Sequence, residues 1–404
     1  MTGSGLDERR LSVRRLRDAS GATIDEGMAA WFPGPSSFTG EDCAEFHVHG
    51  SVAVVAAMYK RLGAFPDCRH AEAGEFTQRA FLNGRLDLTQ AEALADLIEA
   101  ETESQRVQAL ENSLGRQSQL FDGWRRSLVS LRAELESRID FSDEADVPFA
   151  IDGSFLERID NLIGQFERFV DGFKTAEIVR EGFKVVLTGP PNAGKSSLLN
   201  SLAKRDVAIV SDEPGTTRDL LEVRLNLDGA LVTLTDTAGI RAAAAGSVEA
   251  IGIERALAAV ERADLIVRLR PCDCDGLSED SADPHRVLDI TSKSDLASVE
   301  LGVRPMSVSS VTGHGIDVLL AELAFRAKEL GRRSSDVLPT RERHVHLTNA
   351  AVRELRQVPS SLSVDLGLAA DHLRIACDRI GAMTGKVDVE DVLGDIFSRF
   401  CVGK

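Results

Sequence analysis

The sequence predicts a mixed fold of α/β plus all-α type: a small α+β segment at the start, a helical domain split into two stretches, and an α/β domain inserted between them. Three observations carry this. The run Lys184–Thr188 (KVVLT) is apolar and rich in β-branched residues, ends in a glycine-rich turn, and leads into a helix at Ser196–Ala203. Further strand-like runs at Leu220–Leu227, Leu231–Thr235 and Leu265–Leu269 alternate with helical segments, as in a mostly parallel sheet. On either side apolar residues recur at helical spacing, Ala91, Leu94, Leu97 and Ile98 among them.

In chain order, residues 1–86 mix short β-like runs with turns such as Pro33-Gly34-Pro35-Ser36-Ser37, and Ser51–Leu62 has helical length. Residues 87–180 and 336–404 read as the helical domain, with helical stretches from Asp87 to about Phe141 and over Phe155–Ile178. Residues 181–335 read as the inserted α/β domain, and Ala242–Gly246 as a loop of small residues within it.

The composition removes several classes. Lys plus Arg is 47 against 64 Asp plus Glu, a formal net charge of −17, so bulk electrostatics do not coat nucleic acid. Any RNA contact must use a local basic patch or a partner. No apolar run approaches the roughly 18 residues of a membrane span. Asp7, Glu8, Arg9 and Arg10 put charge where a signal peptide would be apolar. The six cysteines are scattered, unlike a disulfide framework, and a reducing cytoplasm is the simplest setting. There are only nine lysines, so each one inside a motif is informative.

One of them is Lys195. Gly189-Pro190-Pro191-Asn192-Ala193-Gly194-Lys195-Ser196 fits G-x-x-x-x-G-K-[ST] in the strand-to-helix context the motif needs. Such a loop aims backbone N–H groups at phosphate oxygens, Lys195 reaches the outer phosphates, and the Ser196 hydroxyl can ligate Mg²⁺, with Ser197 beside it. Asp236-Thr237-Ala238-Gly239 stands where an Mg²⁺-linked carboxylate and a phosphate-sensing glycine belong. Ser211-Asp212-Glu213-Pro214-Gly215-Thr216-Thr217 supplies the switch threonine, with Thr217 the second Mg²⁺ ligand. Ser292-Lys293-Ser294-Asp295 resembles the guanine-reading N-K-x-D with Ser292 in place of Asn, and Ser309-Ser310 resembles the loop that backs the base. Order and spacing favour a Ras-like P-loop GTPase over an ATPase, because the Asp295 carboxylate suits guanine and not adenine. Ile240 occupies the place of a water-orienting glutamine and has no polar group.

Outside this domain the informative segments are Phe38-Thr39-Gly40-Glu41-Asp42, Glu45, His49-Gly50, the block from Gly74-Glu75-Phe76-Thr77 to Arg85-Leu86-Asp87-Leu88, and the terminal Phe400-Cys401-Val402-Gly403-Lys404. Together they resemble the MnmE (TrmE) family of tRNA-modification GTPases over nearly the whole chain. The resemblance implies that the first domain binds a tetrahydrofolate derivative (5-formyl- or methylene-) and forms a homodimer, with Glu45, Arg85 and Lys404 at the folate-contacting positions. It implies that Cys401 is carried toward the folate, as nucleophile or orienting group. It implies a K⁺ ion on Asn192, caged by Ser211, Glu213 and Thr216, in the place of an arginine finger, with Glu249 orienting the attacking water. A partner of the MnmG (GidA) type would bring FAD, and together they would modify C5 of the wobble uridine of certain tRNAs. A GTP-switched RNA-binding or ribosome-assembly factor, or a GTPase scaffold whose chemistry belongs to a partner, are the alternatives. Family members usually start earlier, with a segment bearing a folate-contacting Arg, so the expected start is truncated.

Two smaller features are read as structural. Cys272-Asp273-Cys274 lacks the second Cys/His pair a metal site needs. Arg341, Arg343, His344 and His346 are expected to form a solvated basic face at a helix start.

Overall fold

The computed structural model describes residues 1–2, 5–140, 153–209, 222–236, 257–272, 285–296, 306–331, 336–387, 393–394, 396–397 and 400. The chain divides into two compact units, each assembled from separated stretches: Met1–Ala95 with Asn112–Ile151 and Arg353–Lys404, and Asp96–Glu111 with Asp152–Val352.

The first unit opens with an antiparallel sheet, β1 (Ser12–Arg17), β2 (Thr23–Phe32) and β3 (Cys43–His47), in that spatial order. Helix α1 (Val52–Leu62) follows, capped by the Ser51 hydroxyl on the Val54 N–H, and then α2 (Glu75–Leu82). Arg69 lies against Glu75 in the first turn of α2, and the pairing holds the Glu75 carboxyl below the usual carboxylate value. Helices α3 (Leu88–Glu99), α4 (Glu103–Ser113) and α5 (Arg116–Asp140) come next. The sequence pattern expected helix across this stretch; the breaks fall near Thr102 and Gly115, the latter at φ +89°.

The second unit contains α6 (Gly153–Asp171), α7 (Phe173–Glu181) and a five-stranded sheet of order β5-β6-β4-β7-β8. Its strands are β4 (Phe183–Thr188), β5 (Glu222–Leu227), β6 (Ala230–Asp236), β7 (Leu265–Pro271) and β8 (Val287–Ser292). All neighbours pair in parallel except β5 with β6, which form a hairpin across Asp228 and Gly229, both at positive φ. Helices α8 (Lys195–Ala203) and α9 (Ile316–Leu330) pack apolar faces into one core with β4, β6 and β7; Val185, Leu187, Val232, Val267, Leu319 and Leu323 are fully buried there. The hairpin is gripped at its far end: Arg224 of β5 pairs with Glu101 at 2.8 Å, and the Ser104 N–H donates to the Gly229 carbonyl.

The chain ends in α10 (Glu342–Leu362) and α11 (Leu366–Gly381). The basic stretch at the start of α10 is not the solvated face expected of it. Arg341 pairs with Asp96 at 2.8 Å and His344 is fully buried. Helical periodicity turns His344 inward, where charge counting alone had put it in water. In the first unit α11 packs along α5, and Phe397 meets Phe81 and Phe400 at centroid distances of 6.3 and 5.8 Å. No helix among the described residues is long and apolar enough to cross a membrane.

Candidate functional site

The site is built on the C-terminal edge of the parallel sheet, where β4 runs into α8. Gly189 has φ +140°, and a Cβ there would lie 2.5 Å from the Leu269 carbonyl, so only glycine lets the loop pass β7. Asn192 at φ +61° and Gly194 at φ +89° curl the loop back over itself. Gly194 caps α8 with no side-chain bond, leaving the first N–H groups of the helix for another acceptor. The Leu198 N–H already returns to the Gly194 carbonyl.

Lys195 is only 6% exposed, and its ammonium donates to the carbonyls of Gly189 and Pro190, both at 2.9 Å. The amine is thus held inside the loop's curve at the expected place for phosphate. Ser196, on the first turn of α8, donates to the Asp236 carboxylate at 2.5 Å; Asp236, the last residue of β6, is 1% exposed. A hydroxyl and a buried carboxylate this close are a hard-oxygen pair, which fits Mg²⁺. Asn192, Ser196 and Ser197 are exposed and Ala193 is buried.

A second cluster lies beyond β8. Ser309 is fully buried, and its hydroxyl donates to the Asp295 carboxylate at 2.5 Å while accepting from the N–H groups of Val311 and Thr312. Lys293 has φ +58°, which turns the loop between β8 and Asp295. Ser292 donates to the Ala193 carbonyl at 2.7 Å, joining the phosphate loop to this cluster. Ser310 is half-buried beside it. The predicted residues Asn192, Ala193, Gly194, Lys195, Ser196, Ser197, Asp236, Lys293, Asp295, Ser309 and Ser310 therefore all lie in one unit, at one edge of one sheet.

Ser211, Asp212, Glu213, Pro214, Gly215, Thr216, Thr217, Thr237, Ala238, Gly239, Glu249, Cys401 and Lys404 lie outside the described residues. Ile240 and the loop of Ala242–Gly246 do as well.

The remaining two predicted residues are in the first unit. Glu45 sits on β3, exposed, 3.5 Å from His47. Arg85 follows α2, exposed and without an ion-pair partner among the described residues. Its side chain lies over Gly40, where a Cβ would come within 3.2 Å of Cγ. Asn83 donates to the Thr39 carbonyl and to Glu41, and Arg79 pairs with Glu41, so two segments read separately in the sequence fold against each other.

Sequence reasoning missed Asp289. It lies on β8 and takes a two-pronged pair from Arg268 and a further bond from Arg270; the Arg268 contact holds its carboxyl below the ordinary value. Alternating Arg268 and Arg270 on a strand was the available signal.

Two family models match the chain: the MnmE helical domain over residues 88–401, and the GTP-binding protein TrmE N-terminus over residues 2–85. A relative named tRNA modification GTPase MnmE from Mesorhizobium japonicum is 48% identical over 409 residues, covering 100% of this chain and 92% of its own length. The chain belongs to the MnmE family. A relative of the same name from Chelativorans is 46% identical, over 99% of this chain and 90% of its own length. One from Brucella anthropi is 45% identical, over 100% and 91%. Among solved structures, the G domain of the Thermotoga FeoB iron transporter aligns with 35% of the chain at 24% identity and a TM-score of 0.23.

Proposed function

We propose that this chain hydrolyses GTP as its part in the modification of tRNA. The observation that carries this is the single edge that holds the curled loop of Gly189–Ser196, the Ser196–Asp236 pair and the Asp295–Ser309 pair. Phosphates would lie along the loop and the N-terminus of α8, Lys195 would turn from its two carbonyls to the outer phosphates, and Asp295 would accept from the guanine N1 and N2 hydrogens. Ser196 and Thr217 would hold Mg²⁺, with Asp236 beside them. When bound, that ion offsets charge on the phosphates. Asn192, Ser211, Glu213 and Thr216 would hold K⁺, and Glu249 would orient water through a second water. The exposed Asn192 at the loop's tip suits an ion ligand. GTP turnover should be at least about tenfold faster in K⁺ than in Na⁺, because the ion would supply the charge that an arginine finger gives in other GTPases. Equal rates would remove the potassium role.

The finer reading concerns the first unit. It would bind a tetrahydrofolate derivative through Glu45, Arg85 and Lys404, with the exposed Arg85, which has no ion-pair partner among the described residues, suited to a folate carboxylate. Phe400, next to Cys401 in the sequence, is 7% exposed and packs with Phe397, Phe81 and Ala91, close to the Gly74–Leu88 block. Homodimerisation is supported by Val13 and Met28, which are cross-strand neighbours on β1 and β2, 64% and 39% exposed. With an MnmG-type partner that carries FAD, the cytoplasmic assembly would modify C5 of the tRNA wobble uridine. Mass spectrometry of tRNA nucleosides from a strain lacking this protein tests the whole reading: loss of the modified wobble uridine is expected, and unchanged wobble uridines would overturn it.

A further inference from the structure

The base-reading motif departs from its expected form at Ser292, and the departure has a chemical consequence. Ser292 ends β8 and is 3% exposed. Its hydroxyl carries one proton, and that proton is donated to the Ala193 carbonyl at 2.7 Å, across 99 residues of sequence. The loop that presents Ser292 is itself fixed from β7: the Cys272 N–H donates to the Ser292 carbonyl at 3.2 Å, and the Cys272 thiol donates to the Lys293 carbonyl at 3.0 Å. From the other side, the Ser294 N–H donates to the Val308 carbonyl at 3.1 Å.

An asparagine at this position would bring two amide N–H donors, enough for a carbonyl in the phosphate loop and an acceptor on the base. Guanine offers N7 and O6 as acceptors on that edge. A serine whose single proton is already committed has nothing left to donate. Asp295, by contrast, is exposed and held from behind by Ser309. We propose that Ser292 is a positioning residue that ties the base-reading loop to the phosphate loop through Ala193, and that it makes no donor contact to N7 of guanine. Guanine is then recognised through Asp295 at N1 and N2. This inference rests on the reading of the site as one for guanine nucleotides.

The test uses the full chain and isothermal titration with GTP and with 7-deaza-GTP, in which a C–H replaces N7. The wild-type chain binds the two within about twofold. Ser292→Ala leaves the buried Ala193 carbonyl without its donor and weakens both by the same factor, about fivefold to tenfold. Ser292→Thr keeps the hydroxyl and restores most of the loss, which a mere packing defect would not allow. A wild-type chain that penalises 7-deaza-GTP by tenfold or more overturns the inference, as does Ser292→Ala binding GTP at wild-type strength. Failure of any guanine nucleotide to bind overturns the reading of the site as well, so the two failures are distinguishable.

Discussion

The two sheets of this molecule solve burial differently. In the five-stranded sheet, β4 and β6 are buried over most of their length and β7 at alternate residues, with helices supplying the cover. The three-stranded sheet buries Leu16, Ala29 and Ala30 and leaves Val13 and Met28 in the open. A parallel sheet needs cover on both faces, whereas an antiparallel one tolerates a bare face. The first arrangement fixes a ligand site inside a single unit. The second leaves two apolar side chains in the open beside the exposed Arg15–Glu26 pair.

This contrast can be broken or sharpened by substitution. The largest effect is expected at the closed site: Lys195→Ala should lower steady-state GTP hydrolysis by about 100-fold or more, read by phosphate release. Loss of less than tenfold would show that the loop does not hold the phosphates through this amine. Next comes the core beneath it. Phe183→Ala should cost about 3–5 kcal/mol in urea unfolding, since the residue is 1% exposed at the start of β4. Val13→Ala, on the open sheet, should change stability by no more than about 0.5 kcal/mol. Val13→Asp should instead weaken self-association by about tenfold in sedimentation, because it places charge on the bare face; an unaltered association constant would exclude that face from the dimer. The smallest effect is at Asp289. Arg268 lowers its folded-state pKa below the ordinary 3.8, so its stabilisation is present above that value and is lost as pH falls through the folded pKa. Because the carboxylate is 39% exposed, solvent screens the pair, and Asp289→Asn should remove only a small part of the acid limb of the stability curve.

The phosphate loop was legible in the sequence because its geometry demands particular residues at particular places: glycine where Leu269 crowds the backbone, and a lysine long enough to reach back to the Gly189 and Pro190 carbonyls. Helix α1 followed from the length of its run and α8 from the loop that precedes it, while the stretch read as helical over Phe155–Ile178 divides into α6 and α7. Strand β8 was not legible, because Asp289 interrupts its apolar run and only the arginines on β7 make that charge tolerable. Strands β1, β2 and β3 were no clearer, since a sheet with a bare face lacks the apolar runs that mark buried strands. Nor could the sequence assign Ser292 a partner, which stands 99 positions away. Local pattern reports local demand; a bond between distant loops leaves no local trace.

The threading of the first unit has a consequence for synthesis. Its parts come from Met1–Ala95, Asn112–Ile151 and Arg353–Lys404, with α11 lying along α5 and Phe397 against Phe81. The second unit ends at Val352 and can close on the ribosome while the tail is still being made. The first cannot close until the last helix has emerged. The nascent chain therefore completes the second unit first, while α5 waits for α11 to cover it and Phe81 of α2 waits for Phe397.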